Sequence, residues 1–468
     1  MNDLPEGVSH FIDAASVQVT EAASVEHAIH IARFLGEVLW KNSTGCYQLA
    51  DLERLLVERI EPEIPVTDHS RQCRFGHVLT KAYDTGGHTR VVERLVVCEA
   101  LIDSAVVVTE SAAPKAQERL GRAKHGCTVV PSVVRGRERI AALVAAFVRF
   151  DVLVLYVHPH DIESVVAAGI ARQRAGVTVL FYNHADHVFS YGYGVADRVL
   201  ELGHFGWALR AARKCTHRSV FVGIPLALPS ALTPKPVLPG VQRGAVVAAG
   251  TAYKFRPALG WSFPAFVQSL CQRSDCRVEI VGPSAVRDWW WWPVLRSLKG
   301  RVSVHARLEH DKYLAFMSGA AAYVDSFPMV GGTAFAEVMA QGVPCFGVLT
   351  GTHGYSPADG VKSLSVDELT DEVASFMKTG DRHDAHASEV FVQLHEAHDA
   401  EAVASRIAGA VSSEVTGQAP PWPCQRDVDT GFYERMWMSG RFPTVPVHVL
   451  PPLSLIFSFL MLKWRSNA

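Results

Sequence analysis

The first 70 residues carry apolar side chains at the spacing of amphipathic helices. Over residues 25–40 the apolar positions, among them Ala28, Ile31, Leu35 and Val38, fall on one stripe, and residues 49–60 repeat the pattern. Nothing in this stretch carries recognisable chemistry. We therefore predict that residues 1–70 form an accessory helical segment.

From Arg74 onward, short apolar runs alternate with helical patterns. Strands are predicted at residues 75–79, 104–109, 152–157 and 177–182. This alternation predicts a parallel, doubly wound sheet, in which functional groups collect where strands end and helices begin. We assign residues 71–225 to this first Rossmann-like domain.

The same alternation restarts after a proline-rich stretch. Five prolines fall within fifteen residues, at positions 225, 229, 234, 236 and 239, so residues 226–243 are predicted to be a linker. Beyond it, strands are predicted at 245–249, 277–281, 302–304, 320–324 and 344–348, and helices at 258–272, 312–318 and 334–341. We place a second Rossmann-like domain at residues 244–415 and expect a cleft between the two domains.

The C-terminal tail, residues 416–468, differs from both domains. It contains an aromatic helical pattern at 432–438 and ten apolar residues that begin at Leu453 and end at Leu462. Ten helical residues rise about 15 Å, half of the roughly 30 Å needed to cross a bilayer, so this run cannot span a membrane. Two explanations stay open: attachment to a membrane surface, with Lys463, Trp464 and Arg465 at its edge, or packing against the protein itself or a partner.

Four consecutive tryptophans, Trp289 to Trp292, form a second unusual stretch. They cannot all face one core, so we expect at least one or two to reach the surface or the cleft. There they would pack, contact another molecule or stack on an acceptor sugar.

Composition excludes several classes of protein. With 49% hydrophobic and 20% charged residues, the chain is typical of soluble globular proteins, and a net charge of -2 with a pI near 6.9 argues against nucleic-acid binding. The nine cysteines are scattered and odd in number, which favours reduced core residues over a disulfide framework. The N-terminus lacks the features of a secretion signal. We therefore expect a cytoplasmic protein, with membrane association through the tail left open.

The strongest chemical signal lies around Gly331, Gly332 and Thr333. An apolar strand leads into this glycine turn, and a helix is predicted to begin at Thr333. Free amides at such a turn can bind a phosphate, and glycines let it approach closely. Glu337 lies one helical turn further on, where its carboxylate can accept hydrogen bonds from a ribose diol.

Two further residues follow strand ends in the second domain. Lys254 comes just after the strand at 245–249, so its ammonium can reach the glycine turn across the carboxyl edge of the sheet and neutralise a diphosphate. His310 follows the strand at 302–304, where its imidazole can stack on, or hydrogen-bond to, a nucleobase; capping of a surface helix is the alternative.

This set of motifs resembles the nucleotide-sugar half of GT-B glycosyltransferases. The resemblance rests on the run from Asp325 to Pro344 and, upstream, on Lys254 and the Glu309-His310 pair, and it covers roughly residues 245–350. The most similar group is the O-linked N-acetylglucosamine transferases and the related bacterial cytosolic protein-glycosylating enzymes. The resemblance implies that Lys254 holds the diphosphate, His310 the base, Gly331, Gly332 and Thr333 the phosphates, and Glu337 the ribose.

The chain also departs from these enzymes. Many of them have two threonines after the glycines, whereas this chain has Thr333-Ala334, and residues 1–70 contain no 34-residue repeat. Another large GT-B group carries two glutamates eight residues apart, but the position eight before Glu337 is Met329. This difference favours an inverting mechanism.

In GT-B enzymes the first domain binds the acceptor and usually supplies the catalytic base. One candidate group, His184, Asp186 and His187, follows a predicted strand and combines two imidazoles with a carboxylate. The other offers Asp84 or His88 as base, with Gly86 and Gly87 letting the backbone approach the donor. A third cluster, His158 to Asp161, shows that such histidines can also be structural. No histidine pair has the spacing of a helical metal site, so we predict no metal and no cofactor.

We therefore predict an α/β protein with two doubly wound Rossmann-like domains of GT-B type, an N-terminal helical segment and a C-terminal helical tail. The expected activity is metal-independent, inverting transfer of a hexosyl or N-acetylhexosaminyl group from a nucleoside diphosphate donor, a UDP-sugar, to an acceptor hydroxyl or amide. Two alternatives stay open: a UDP-sugar epimerase of the same architecture, and a catalytically silent subunit or scaffold. The sequence does not identify whether the acceptor is a protein, a glycan or a lipid.

Overall fold

The computed structural model of the chain describes residues 4–66, 70–84, 87–130, 135–231, 244–308, 312–313, 316–317, 319–380, 387–412 and 417–462. Most of the predicted linker, residues 232–243, lies outside these ranges.

Three helices precede the first sheet, two of them at the predicted apolar stripes and all within the predicted helical segment. They are α1 (Glu6–Glu21), α2 (Val25–Lys41) and α3 (Ala50–Ile60). The Ser24 hydroxyl caps α2 by accepting a hydrogen bond from the backbone N–H of His27 at 3.2 Å. Their apolar faces pack on one side of the first sheet, in a core that includes Phe11, Phe34 and Leu56.

Within the described residues, seven parallel strands form the first sheet. Its strands are β1 (Cys73–Ala82), β2 (Ser104–Ala112), β3 (Cys127–Val129), β4 (Phe150–Tyr156), β5 (Thr178–Tyr182), β6 (Arg198–Glu201) and β7 (Ser219–Phe221), in the order β3-β2-β1-β4-β5-β6-β7. Its helices are α4 (Gly87–Leu95), α5 (Pro114–Leu120), α6 (Arg137–Phe147), α7 (Ile162–Ala175) and α8 (His204–Ala208).

A second parallel sheet follows, with five strands in the described part of the chain. Its strands are β8 (Val246–Ala249), β9 (Val278–Gly282), β10 (Val302–Ala306), β11 (Ala322–Val324) and β12 (Cys345–Phe346), in the order β10-β9-β8-β11-β12. The helices are α9 (Phe263–Arg273), α10 (Trp292–Ser297), α11 (Ala334–Ala340), α12 (Val366–Thr379), α13 (Ala387–His398) and α14 (Ala400–Gly409). Residues 314, 315 and 318 of the predicted helix at 312–318 lie outside the described residues.

These two sheets confirm the predicted fold class of two doubly wound α/β layers. The predictions missed β3, β6 and β7, which are only three or four residues long and contain no extended apolar run. Strand order reverses between β1 and β4 in the first sheet and between β8 and β11 in the second. In doubly wound sheets, ligands bind outside the carboxyl ends of the strands at such switch points.

The C-terminal tail returns to the first half of the chain. Helix α15 (Phe432–Met438) packs Phe432 and Tyr433 against Phe205, and the indole of Trp437 donates to Asn42 Oδ1 at 3.0 Å. The last described helix is α16 (Ile456–Leu460). Within the described ranges, the helices are all too short or too polar to cross a lipid bilayer.

Two further expectations are met. All nine cysteines lie within the described residues, and none of them forms a disulfide. In the tryptophan run, Trp291 is fully buried whereas Trp289 and Trp292 are 62% and 54% exposed, so two indoles do reach the surface.

Candidate active site

Lys254 and the glycine turn meet at the switch point of the second sheet. Strands β8 and β11 pair directly, so the loops that follow them emerge side by side. The Lys254 ammonium donates a hydrogen bond of 2.8 Å to the carbonyl of Val330, the residue immediately before Gly331. The structure thus brings together two elements that lie 76 residues apart in the chain.

The Asp325 carboxylate stabilises the glycine turn through hydrogen bonds to its backbone. Its Oδ1 accepts hydrogen bonds of 2.9 Å from the backbone N–H groups of Ser326 and Gly331. Its Oδ2 pairs with the Lys362 ammonium at 2.7 Å, and Lys362 also pairs with Asp359 at 2.6 Å. Burial alone would lower the pKa of Lys362, but the two carboxylates outweigh burial and raise it. The three side chains therefore form a buried, charged support for the turn.

This support changes the role predicted for Gly331. Its amide donates to Asp325, so the prediction that it binds phosphate does not fit the structure. Gly332 and Thr333 remain suitable: a Cβ on Gly332 would meet no described atom within 4 Å, and the Thr333 side chain makes no capping hydrogen bond to α11. Both residues face a cavity.

A first cavity of about 360 Å³ lies between the carboxyl edge of the second sheet and helix α4. The second-sheet wall includes Gly250, Thr251, Gly282, Arg307, Thr333 and Glu337, and the α4 wall includes Gly87, Arg90 and Arg94. Gly282 has a φ of +118°, and a Cβ there would lie 1.9 Å from the Gly250 carbonyl oxygen, so only glycine fits this part of the floor.

Glu337 reaches this cavity but already has a partner. Its carboxylate pairs with Arg94 of α4 at 2.7 Å, and Arg94 also donates to the carbonyl of Pro225 at 2.8 Å. The pair joins the two walls of the cavity. A ribose bound to Glu337 would therefore share its carboxylate with Arg94 or displace that arginine.

A second cavity of about 230 Å³ adjoins the first, and Gly87, Val91 and Thr333 line both. Its walls come from both halves of the chain and include His88, His184, Asp186, His187, Tyr253, Lys254, Gly332, Tyr355 and Tyr433. Most of the residues predicted for binding and catalysis therefore surround one continuous space.

His88 and His184 stack on each other beside this second cavity. Their ring centroids lie 4.2 Å apart at an interplanar angle of 11°. Burial lowers the pKa of His88 to about 4. Burial, together with the neighbouring imidazoles, also lowers the pKa of His184 well below its usual value. Both rings are consequently neutral at physiological pH.

Asp186 and His187 form a different kind of pair. Nδ1 of His187 lies 3.4 Å from Oδ1 of Asp186, and the Tyr355 hydroxyl donates to the same oxygen at 2.8 Å. The Tyr433 ring lies against the imidazole, with centroids 4.5 Å apart. Asp186 is almost fully buried, whereas the His187 side chain is 31% exposed and open to the cavity. The carboxylate can therefore orient the imidazole.

Comparison with known proteins bears on the fold. No protein-family model matches the chain, and no curated protein matches it significantly. Among solved structures, the lipopolysaccharide outer core galactosyltransferase WaaB in its apo form matches with a TM-score of 0.51 at 15% identity, over 73% of this chain and 100% of that one. Anabaena HepE in complex with UDP matches with a TM-score of 0.52 at 14% identity, over 73% of this chain and 100% of that one. The protein has the GT-B fold.

This result confirms the fold implied by the sequence resemblance. A mutant O-GlcNAc transferase from Thermobaculum terrenum is also among the matching structures, with a TM-score of 0.49 at 16% identity, over 93% of this chain and 85% of that one. In this fold both cavities lie between the two halves of the chain: helix α4 and the carboxyl edge of the second sheet enclose the first cavity, and residues from both halves line the second.

Not every predicted residue reaches the GT-B cleft. Asp84 lines neither cavity: its carboxylate accepts a hydrogen bond of 2.9 Å from the backbone N–H of Ala116 in α5, so it supports a helix and we no longer consider it as a base. Gly86 and His310 lie outside the described residues, although Arg307 and Leu308, just before that histidine, line the first cavity. Gly87 does line both cavities, and a Cβ there would meet no described atom within 4 Å.

Several residues of the GT-B cleft escaped sequence reasoning. Arg90 and Arg94 are four residues apart on α4, a spacing that puts them on one helix face, but nothing local indicates that this face lines a cavity. Tyr355 lies 169 residues from Asp186, and no pattern in the sequence connects them. Among the described residues, no three potential metal ligands are arranged to hold an ion.

Proposed function

We propose that the protein transfers a sugar from a nucleoside diphosphate donor, a UDP-sugar, to a hydroxyl or amide of an acceptor. The observation that carries the proposal is the position of the Lys254 ammonium, against the glycine turn in the space that both halves of the fold enclose. The GT-B fold supports it, because WaaB, with the same fold, is a galactosyltransferase and HepE was solved with UDP.

In this proposal the nucleoside occupies the first cavity. The diphosphate lies toward the second cavity, near Thr333, where Lys254 and the amides of Gly332 and Thr333 can contact it. An ammonium in this partly enclosed site interacts with a phosphate more strongly than it would in water. The positive charge in the scheme comes from side chains and amides, so the proposed reaction is metal-independent.

The acceptor enters the second cavity, where His187 acts as the general base. His187 takes the proton from the acceptor hydroxyl or amide while the acceptor atom attacks the anomeric carbon. The bond from that carbon to the diphosphate oxygen breaks, and its electron pair leaves with the diphosphate, which Lys254 stabilises. Attack opposite the leaving group inverts the anomeric configuration.

His187 is a better candidate for the base than His88 or His184. The depressed pKa values of the two stacked imidazoles make them weak bases at neutral pH, whereas His187 is open to the cavity and has Asp186 to stabilise its protonated form. Asp186, buried and hydrogen-bonded to Tyr355, acts as a positioning residue.

The test begins with a panel of nucleotide sugars and their nucleoside diphosphates. A ligand at about a hundred times its dissociation constant should add about 2.7 kcal/mol to the free energy of unfolding, which a thermal denaturation assay detects. A stabilising donor is then incubated with candidate acceptors, and NMR follows the anomeric proton of the product.

Each outcome has a clear meaning. Transfer with an inverted anomeric configuration supports the proposal. Conversion of the nucleotide sugar to an isomer without an acceptor would instead identify an epimerase. If no nucleotide stabilises the protein and an active transferase co-purifies with it, the chain is a silent subunit and the proposal is wrong.

A further inference from the structure

The strip formed by residues 442–460 exposes a row of large apolar side chains. Seven of them are between 62% and 89% exposed: Phe442, Val445, Val447, Leu450, Leu453, Phe457 and Leu460. Single exposed apolar residues are normal, but a contiguous set of this size marks an interaction surface. The proposed sugar transfer does not use any of these residues.

The strip is apolar on two opposite sides. Leu455, Phe459 and Leu462 are buried in the core that α1 and α2 share, and the Phe459 ring meets that of Phe34 with centroids 6.1 Å apart. A second set of apolar side chains has the same spacing but begins two residues earlier in the sequence. These side chains, Leu453, Phe457 and Leu460, face outward. A surface helix of a soluble protein normally carries polar residues on its outer face. The outer face of this strip is therefore suited to a second apolar environment.

The backbone of the strip is held in place. The Glu37 carboxylate accepts hydrogen bonds from the backbone N–H groups of Val447 at 2.9 Å and His448 at 3.0 Å. Asn42 accepts from the backbone N–H of Thr444 at 2.7 Å and donates to its carbonyl at 3.1 Å. The outward side chains are thus presented from an anchored segment.

Charge distinguishes among the surfaces that could cover the strip. After Glu434 the sequence contains no aspartate or glutamate, and it carries four basic residues: Arg435, Arg441, Lys463 and Arg465. Arg441 is exposed next to the strip, whereas Arg435 pairs with Asp429, and Lys463 and Arg465 lie outside the described residues. The chain as a whole has a net charge of -2, so this end is locally basic. Exposed leucine and phenylalanine beside basic residues are the composition of segments that lie in the interface of anionic membranes. Helix α1 packs nearby and carries three acidic residues, Glu6, Asp13 and Glu21, which partly offset the basic charge. The apolar side chains therefore supply most of the affinity for a membrane, and electrostatic attraction supplies a smaller part.

We propose that the strip binds the surface of a lipid bilayer that contains anionic headgroups. Leu453, Phe457 and Leu460 enter the boundary between headgroups and acyl chains, and Arg441, which is exposed next to the strip, contacts lipid phosphates. The segment lies on the membrane and does not cross it. This binding is independent of the proposed transferase activity.

The experiment measures co-sedimentation of the full chain with lipid vesicles. One set of vesicles is phosphatidylcholine, and the other contains about a third phosphatidylglycerol. The test variant carries Leu453→Ser, Phe457→Ser and Leu460→Ser. The matched control carries Trp289→Ser and Trp292→Ser, which removes exposed apolar side chains from a different surface. Thermal denaturation verifies that both variants fold.

The wild type and the tryptophan variant should bind the anionic vesicles with equal affinity, and the triple variant should bind at least about tenfold more weakly. Raising the salt concentration should reduce the preference for anionic over neutral vesicles, because ions screen the basic residues. Wild-type protein that stays in the supernatant with both vesicles would overturn the proposal. So would equal binding by the triple variant. A wild-type dimer that the triple substitution converts to a monomer, without vesicle binding, would show that a second copy covers the strip.

Discussion

His187, the proposed general base, shows how the surroundings of a side chain determine its chemistry. Its imidazole lies between Asp186, which can stabilise a positive charge, and Tyr433, which limits its rotation. His88 and His184 line the same cavity but are stacked and neutral, because burial lowers their pKa values. Three histidines in one cavity therefore have different chemical capacities, and their surroundings decide which of them can act as a base.

A substitution at His187 tests this distinction. We expect His187→Gln to lower the turnover number by about 10² to 10⁴, the usual contribution of a general base, and to leave UDP affinity unchanged. The exposed His217, substituted in the same way, is the control. Steady-state kinetics give the turnover number and calorimetry gives the affinity. Normal turnover of His187→Gln, or a parallel loss of UDP binding, would contradict the assignment.

At the scale of elements, the strand ends define the site and the buried ion pairs stabilise it. Loops after β5, β8 and β11 supply His187, Lys254 and Thr333, which all line the second cavity. The turn after β11 keeps its shape because Asp325 binds two of its amides and is itself paired with Lys362. The proposed donor site therefore depends on Asp325, which lines neither cavity.

Removal of the Lys362 charge should expose this dependence. Lys362→Ala leaves Asp325 and Asp359 buried without their shared cation, so we expect a loss of about 3–5 kcal/mol in the free energy of unfolding and weaker UDP binding. Urea denaturation measures the first and calorimetry the second. The exposed Lys378, changed to alanine, should alter neither. A Lys362→Ala protein with wild-type stability would show that the turn does not need the ion pair.

Local pattern in the sequence predicts which residues lie near the cleft, and their roles remain predictions. Lys254, Gly332, Thr333, His184 and His187 each follow a strand end, and the structure places all five around the second cavity, because parallel strands bring their carboxyl ends to the same edge of a sheet. The sequence did not predict which distant residues form ion pairs and hydrogen bonds around the cleft. Lys362 with Asp325, Arg94 with Glu337 and Tyr355 with Asp186 are contacts between distant segments, and hydrophobic periodicity carries no information about them.

At the scale of the whole molecule, buried neutral histidines couple stability to pH. Burial lowers the pKa to about 3 for His77, His158 and His398 and to about 4 for His88. These values lie below the roughly 6.5 expected in the unfolded chain, so protons bind the unfolded state first. The stabilisation is complete above pH 6.5 and is lost as the pH falls toward the folded pKa values.

Acidification should therefore destabilise the protein well above the pH at which most carboxylates titrate. Between the unfolded and the folded pKa, each such histidine lowers the free energy of unfolding by about 1.4 kcal/mol for every unit by which the pH falls. Glu53 opposes the trend, because burial raises its pKa to about 7, and burial also raises the pKa values of Glu163, Glu201 and Glu434. Among the described residues, these four glutamates are outnumbered by nine histidines whose pKa values are lowered. Denaturation midpoints between pH 7.5 and pH 4.5 should fall steadily. A constant or rising midpoint would show that these imidazoles are not buried in solution.

The proposed function requires that the Lys254 ammonium and the glycine turn together bind a nucleoside diphosphate. Calorimetric titration of UDP into the wild type, Lys254→Ala and Lys299→Ala tests it most directly. Lys299 is an exposed lysine of the same domain and serves as the control. We expect the wild type and the Lys299 variant to bind UDP with equal affinity. We expect Lys254→Ala to bind it at least about tenfold more weakly, since a charge-assisted contact to phosphate contributes about 1.5–3 kcal/mol. Failure of the wild type to bind UDP, or unchanged affinity in Lys254→Ala, would contradict it.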